Sequence, residues 1–463
     1  MPPSLKHKLI KLLGPGVVRD DSETIAVHSG DKWIATGAPE VVVLAESAEQ
    51  VSRLLKFANR HRIPVTPRGA GYGYVGGCVP LRGGIALSLA RMNRIREINA
   101  ADSVAIVGPG VITGVLQAKA REQGLFYPPD PASLHDCSIG GNIATNAGGP
   151  RCLKYGVTRN YILGLEVVLA NGDILRTGGR THKNKTGFDL IGMFVGSEGL
   201  LGVVTEATLR LIPHPPARST ISATFGTFRQ TAAAVQEIFR AGFLPCALEI
   251  ADSFTLESAR HFAGGEGIPA GKAHLLIDLD GQPGEVRSGA KTLERLLRKL
   301  PVRSVKTAYG DAECEKLWGL RRNFSNALRA TGLTKLNEDV VVPRSKLVDL
   351  IEFCQHLSKK YGYPVACFGH AGDGNIHVNI MAADYHTDKK VYHRVEKALD
   401  ELFAQVLAWN GVITGEHGIG IAKQRWWKDA TSPVSRHVHA ALKTALDPNG
   451  ILNPGKFVAS GSV

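Results

Sequence analysis

The sequence has no run of about 18 apolar residues, so no segment reads as a membrane-crossing helix. Cysteine is scarce. The seven, Cys78, Cys137, Cys152, Cys246, Cys314, Cys354 and Cys367, are odd in number, irregular in spacing and never C-x-x-C. That argues against a disulfide framework and against an iron–sulfur cluster held by this chain, and it points to a reducing compartment. Aromatics make up only 6%. No block of one charge sign accumulates. Lys and Arg outnumber Asp and Glu by 55 to 42, a net +13, but they are scattered through both halves. No nucleic-acid-binding motif accompanies them, so no nucleic-acid partner is expected, and a basic surface suits small anionic substrates. The apolar core of a signal peptide is also missing from Met1–Leu13, where Lys6, Lys8 and Lys11 alternate with Leu5, Leu9, Ile10, Leu12 and Leu13. This segment is expected to be a docked first helix, with weak membrane-surface attachment as the alternative.

Glycine, by contrast, is abundant: 52 residues without a short repeat. Such an excess suits loops that press backbone against a ligand. A chain of 463 residues exceeds one ordinary core, so two domains are expected. Glu40–Leu44 reads as a strand. Ser47 then caps a helix, with Gln50 completing a capping box and Val51, Leu54, Leu55 and Ala58 on one face. A strand at Ile63–Thr66 leads into the first glycine-rich segment. Further strands are expected at Ile85–Leu89 and Ser103–Val107, a helix near Ile112–Gln123, and an irregular stretch over Tyr127–Asn160. Leu165–Ala170 and Asp173–Thr177 read as a hairpin with the two-residue turn Asn171-Gly172. Val203–Ile212 is strand-like, and Pro213-His214-Pro215-Pro216 reads as a linker. Longer helices follow, such as Gln230–Ala241 and Ala290–Lys299, and the tail from Ile421 is helical.

Three segments carry the glycine. Pro67–Gly77 has five in eleven residues, and Gly71-x-Gly73-x-x-Gly76 matches the dinucleotide fingerprint. That fingerprint must open a helix, whereas here Cys78-Val79-Pro80-Leu81-Arg82 and another strand follow. The segment still offers bare backbone N–H groups, a nest suited to a pyrophosphate. The second, Tyr127–Ser133 with Ser138–Gly149, is rich enough in small residues to let a flat ring lie close. The third is Gly196–Val204.

Chemistry-bearing residues cluster downstream. His370-Ala371-Gly372-Asp373-Gly374-Asn375-Ile376-His377 places two imidazoles around a Gly-Asp-Gly turn, in which Asp373 reads as a turn residue. Gly415-Glu416-His417-Gly418 adds a carboxylate and a third imidazole. Two His and one carboxylate form a usual open site for a divalent metal. Trp318-Gly319-Leu320-Arg321-Arg322, then Ser325 and Lys335, supply cations for an anionic substrate.

In combination these segments resemble the FAD-binding proteins of the vanillyl-alcohol oxidase type, and among them the D-lactate dehydrogenase, D-2-hydroxyglutarate dehydrogenase and glycolate oxidase large-subunit group. The resemblance runs from about Ala26 to Lys456. It implies an α+β fold: a two-part FAD-binding domain built from both chain ends, with an inserted α+β substrate (cap) domain. The expected divisions are 1–215 for the FAD domain, 216–420 for the substrate domain with the metal site, and 421–463 for the returning segment. The resemblance implies that Pro67, Arg68, Gly69, Ala70, Gly71 and Tyr72 hold the pyrophosphate region. Pro131, Ser133, Ser138, Gly141, Asn142 and Asn146 would line the flavin and ribityl chain. Glu198, Gly202 and Val203 would follow the ribityl–adenosine side, with Asn453 near the ring. No His lies between Pro67 and Gly77, so FAD is expected to be non-covalent.

The same resemblance makes His370, His377 and Glu416 ligands of a divalent metal, with Zn expected and Mn or Fe as alternatives. It makes His417 the base and Arg321 the carboxylate anchor, with Ser325, Lys335 and Asn379 completing the catalytic set. The implied reaction is oxidation of a D-2-hydroxy acid, D-lactate-like or D-2-hydroxyglutarate-like, with the C2 hydride passing to flavin N5. The alternative is the FAD subunit of a glycolate oxidase complex. Lys335, which glycolate-oxidising relatives tend to lack, leans toward the first. An electron acceptor (quinone, cytochrome, electron-transfer flavoprotein or oxygen) is implied, as is either a homodimer or a complex with iron–sulfur subunits. A cytoplasmic location is expected, with peripheral attachment to the inner membrane face as the variant. A nicotinamide-dependent dehydrogenase leaves the second and third glycine segments unexplained. A redox-dead subunit leaves the His–His–Glu–His set unexplained.

Overall fold

The computed structural model describes residues 2–263 and 270–458. The chain forms two compact units. The first is Met1–Gly148, Val157–His214 and Glu416–Val463; the second is Gly149–Gly156 and Pro215–Gly415. The crossings thus fall at His214–Pro215, inside the Pro-rich linker, and at Gly415–Glu416, five residues before the expected 420. Residues 149–156, expected in the first domain, belong to the second unit, where Lys154 Nζ and Tyr155 Oη bond the Asp280 carboxylate at 2.5 and 2.8 Å.

In the first unit a four-stranded sheet runs in the order Val18–Arg19, Val41–Leu44, Ile85–Ser88, Val65–Arg68. Its last three strands are parallel, as a strand–helix–strand crossover requires. The crossover helix Ala48–His61 begins where Ser47 Oγ accepts the Gln50 amide. Gln50 Oε1 returns to the Glu46 amide at 2.8 Å rather than to Ser47, so the box closes one residue early. Val51, Leu54, Leu55 and Ala58 are buried against Val41, Val43, Val65, Ile85 and Leu87. The C-terminal segment joins this core. Leu452 bridges Val65 in parallel, and Ile451 and Leu452 lie in the same cluster. The first helix, Pro3–Leu13, docks here through Leu9 and Leu13.

A second, antiparallel sheet has the order Ile95–Asn99, Val104–Val107, Val203–Arg210, Ile162–Val168, Ile174–Gly178. Its hairpin loop is longer than the expected two residues. The Leu169 amide bonds Asp173 O and the Gly172 amide bonds Leu169 O, a three-residue loop with Gly172 at φ 83°. The stretch Tyr127–Asn160 is also less irregular than its composition suggests. It contains helices Ile139–Thr145 and Cys152–Tyr155, the first capped by Ser138.

The second unit is built on a seven-stranded antiparallel sheet. Its order is Val302–Tyr309, Ala217–Phe225, Ala273–Gly281, Ala247–Ala251, Val365–His370, Asn375–Ala382, Thr334–Val341. Helix Asp311–Arg329 packs on one face, where its Phe324, Ala327 and Leu328 meet Ala251, Ala366, Phe368 and Met381. Helices Phe228–Arg240 and Pro283–Arg298 begin two and seven residues before their expected starts at Gln230 and Ala290. Among the described residues no helix is long and apolar enough to cross a membrane.

Candidate active site

Strand register decides which side chains of the second unit meet. Glu249 pairs with His370, Phe368 with His377, Asn379 with Asn337, and Met381 with Lys335. Paired residues share a face, and side chains two apart on a strand return to it. Glu249, His370, His377, Asn379 and Lys335 therefore stand on the face covered by helix Asp311–Arg329, which itself carries Arg321 and Ser325. The turn between His370 and Asn375 is tight. Gly374 sits at φ 80°, and a Cβ there would lie 2.1 Å from Val342 O, so only glycine fits.

The two imidazoles are 5.4 Å apart between ring centroids and nearly perpendicular. Thr414 and Gly415 are tied to the sheet by the buried Asp339. Its carboxylate accepts the Gly415 amide at 2.9 Å and the Thr414 hydroxyl at 3.2 Å. The next residue is Glu416. Ligand atoms of His370, His377 and Glu416 all lie within 4.8 Å of one another. Two imidazole nitrogens and one carboxylate oxygen at that spacing fit an open divalent-metal site.

Glu249, which sequence reasoning missed, supports the site from behind. Its Oε1 accepts from His370 Nδ1 at 2.5 Å and its Oε2 from Arg321 Nε at 2.6 Å. Burial alone would push this carboxyl up, but His370 and Arg321 outweigh burial and hold it at about 2. Arg321 is buried, with its guanidinium 4.9 Å from the Phe368 ring centroid. Among the described residues no protein group accepts from its terminal nitrogens. Lys335 Nζ donates to Ser325 Oγ at 2.7 Å and lies 5.8 Å from the Phe368 ring centroid. Burial, then the charges of Arg329 and Arg321, bring its ammonium down to about 7. Asn379 donates to the carbonyls of Ala366 and His377, and its buried Oδ1 has no hydrogen-bond partner among the described residues. Trp318 is packed with Ala247 and Leu276 on the same face.

In the first unit the glycine segment opens no helix: residues 69–77 form a string of turns and bends. The amides of Gly71, Tyr72 and Gly73 donate to no protein acceptor among the described residues, while that of Ala70 bonds Ser138 Oγ at 3.1 Å. Such a run of uncommitted amides fits an anionic pyrophosphate. Arg68 does not reach outward. Its guanidinium lies beneath Gly71, at φ 75°, and donates to Gly30 O at 2.5 Å and to Cys78 Sγ at 3.2 Å.

Other expected cofactor residues also have committed side chains. Asn142 Nδ2 bonds Thr113 Oγ1 at 2.7 Å. Asn146 caps its helix at φ 50° and accepts the Arg159 amide. Val203 lies in the hydrophobic core. Gly202 meets Val167, which a Cβ would approach to 2.6 Å. Asn453 Nδ2 ties Gly77 O and Glu198 O at 2.9 and 2.8 Å. Pro67 packs against Gly199, and the carbonyls of Pro131 and Ser133 accept local turn bonds. The side chains of Arg68, Asn142, Glu198 and Asn453 thus make hydrogen bonds within the protein, and Val203 packs into the core.

Glu198 shows this most clearly. It is buried at φ 50°, and its two oxygens accept the amides of Ile419 and Gly420 at 2.7 and 2.8 Å. Burial raises its carboxyl to about 7 against the pull of those two amides. It clasps the loop that carries His417, whose ring stacks on Tyr74 at 5.3 Å. Lys456 of the closing Leu452-Asn453-Pro454-Gly455-Lys456 run donates to Val79 O at 2.7 Å, and burial lowers it to about 8.

Residues 39–178 match the model of an FAD binding domain, and residues 214–457 match that of the C-terminal domain of FAD linked oxidases. The chain is 40% identical to the glycolate oxidase subunit GlcD of Bacillus subtilis (strain 168), over 98% of this chain and 97% of the relative. It is 34% identical to a D-lactate dehydrogenase of Anaerostipes hadrus (95% and 94% covered). It is 31% identical to a D-2-hydroxyglutarate dehydrogenase of Stutzerimonas stutzeri (strain A1501) (99% of each). Among solved structures, p-cresol methylhydroxylase with substrate bound shares the fold at TM-score 0.80 and 22% identity, with 99% and 96% of the chains covered.

Proposed function

The chain belongs to the family of FAD-linked oxidases, and on that premise we propose that it oxidises the C2 hydroxyl of a D-2-hydroxy acid to the 2-oxo acid. The observation that supports this reading most is the shared sheet face. There His370 and His377, whose ligand atoms lie within metal-binding spacing of a Glu416 carboxylate oxygen, stand with a buried Arg321 whose terminal nitrogens bond no protein acceptor among the described residues. A bound FAD supplies the two-electron acceptor, and a divalent ion at His370, His377 and Glu416 supplies a Lewis acid.

The chain's own residues do the rest. Arg321 takes the substrate carboxylate as a fork of two N–H donors. His417 accepts the hydroxyl proton as general base. Lys335 and Ser325 hold a second polar group of the substrate, and Lys335 favours D-lactate-like or D-2-hydroxyglutarate-like acids. The uncommitted amides of Gly71, Tyr72 and Gly73 receive the pyrophosphate of a non-covalent FAD. The second reading is the flavin subunit of a glycolate oxidase, favoured by the relative named glycolate oxidase subunit GlcD. In that case further subunits carry the electrons away.

Turnover with an artificial electron acceptor separates the two readings. D-lactate or D-2-hydroxyglutarate should exceed glycolate in kcat/KM by at least about tenfold. Glycolate as the best substrate establishes the second reading, and no activity on any 2-hydroxy acid overturns both.

A further inference from the structure

Strand Ala247–Ala251 reads Ala-Leu-Glu-Ile-Ala and is buried throughout. Its one charged residue, Glu249, is 1% exposed and lies directly across from His370. A carboxylate set between two N–H groups offers only acceptors. Because Oε1 takes a hydrogen bond from His370 Nδ1, the proton sits on Nδ1 and the Nε2 lone pair is the one presented. An imidazole that binds a divalent ion through Nε2 needs this tautomer. The second oxygen accepts from Arg321 Nε. That bond fixes the plane of the guanidinium and leaves its terminal N–H edge for an anion.

We propose that Glu249 is a positioning residue that sets, through one carboxylate, both the tautomer of His370 and the orientation of Arg321. Metal affinity and substrate-anion affinity are thereby coupled. The inference rests on the reading of this site as a metal-assisted hydroxy-acid site.

Glu249→Gln makes the coupling testable with little change of volume. A carboxamide has one acceptor end and one donor end. If the oxygen faces Arg321, the NH2 faces His370 Nδ1, which selects the other tautomer and puts the proton on Nε2. If the oxygen faces His370, the NH2 opposes the Arg321 N–H and displaces the guanidinium. Glu249→Asp keeps the charge but is one methylene too short to hold both partners.

The experiment titrates Zn2+ calorimetrically into flavin-loaded protein stripped of metal, and then measures KM and kcat for the best hydroxy acid. Glu249→Gln should weaken Zn2+ binding by about 10- to 100-fold. It should raise KM by at least about tenfold and leave the flavin spectrum unchanged. Glu249→Asp should move both quantities in the same direction. A purely structural role would lower stability and flavin content without separating Zn2+ affinity from them. Failure of the wild type to bind Zn2+ overturns the metal-site reading itself. Wild-type binding matched within twofold by both variants overturns the role of Glu249 alone. If Glu249→Gln loses its flavin, Glu249→Asp decides by the same two measurements.

Discussion

Replacing Lys335 by Met should stabilise the protein while weakening its hold on substrate, and the two effects should share one pH dependence. The native ammonium is lowered from its ordinary 10.5 to about 7, with burial the largest cause. At about 1.4 kcal/mol per pKa unit, holding that charge in place below pH 7 costs at most about 5 kcal/mol. Lys335 keeps partial solvent contact, and Met forgoes the hydrogen bond to Ser325, which is worth about 1 kcal/mol. The net gain expected below pH 7 is on the order of 2 kcal/mol, or roughly 4–8 °C in the melting temperature of a unit this size. Between pH 7 and 10.5 the unfolded lysine keeps its proton while the native one loses it. Wild-type stability therefore climbs with pH through this window. The advantage of Lys335→Met shrinks over the same interval and vanishes near 10.5. KM for the hydroxy acid should rise in the wild type as pH passes about 7, where the native cation is lost, and should be high and flat in the variant. Melting curves at pH 6 and 9, with KM at both, provide the assay. A variant less stable than wild type at pH 6, or a difference that does not change with pH, refutes the reasoning.

Arg321→Met should lower kcat/KM by at least about 10³-fold, because the substrate carboxylate loses its fork and Glu249 loses one of its two donors. Steady-state kinetics beside a flavin spectrum will check it, and near-normal turnover would point to Arg322 as the anchor. Dialysis against a chelator should abolish turnover and leave the visible flavin bands in place, with Zn2+ or Mn2+ restoring activity. Full activity in metal-free protein would assign His370 and His377 another role. His417→Asn should keep the metal by elemental analysis and lose about 10²- to 10⁴-fold in kcat, the usual scale for a general base. Acid precipitation should release FAD into the supernatant, whereas flavin left in the pellet would contradict non-covalent binding.

Much of the molecule was legible where residues act locally. Ser47 announces its helix, the Pro-rich run marks the first crossing, and the glycines of Pro67–Gly77 mark a loop. The His370 and His377 pair is readable because both residues flank one turn. What stayed hidden depends on partners far away in sequence. Glu249 lies 121 residues before His370 and Asp339 lies 76 before Gly415, so only strand register brings each pair together. A faint signal existed, since an acidic residue inside an apolar strand requires a buried partner. Helix Ile139–Thr145 was obscured by its two glycines, which cost helix propensity, although the Ser138 cap was visible. Glu198 is placed along the ribityl–adenosine side by the resemblance, but its role in the protein scaffold was not legible. Its oxygens are bonded to the amides of Ile419 and Gly420, residues more than 200 positions away.

The central claim is that this chain passes two electrons from the C2 position of a D-2-hydroxy acid to its own flavin. Anaerobic mixing of the purified flavoprotein with one D-2-hydroxy acid and its L-enantiomer, followed in the visible spectrum, tests it without any external acceptor. The account predicts that the D-acid bleaches the flavin within a turnover time and yields one 2-oxo acid per FAD, while the L-acid leaves the spectrum unchanged. A flavin that stays oxidised with every 2-hydroxy acid, or that bleaches equally with both enantiomers, would contradict it.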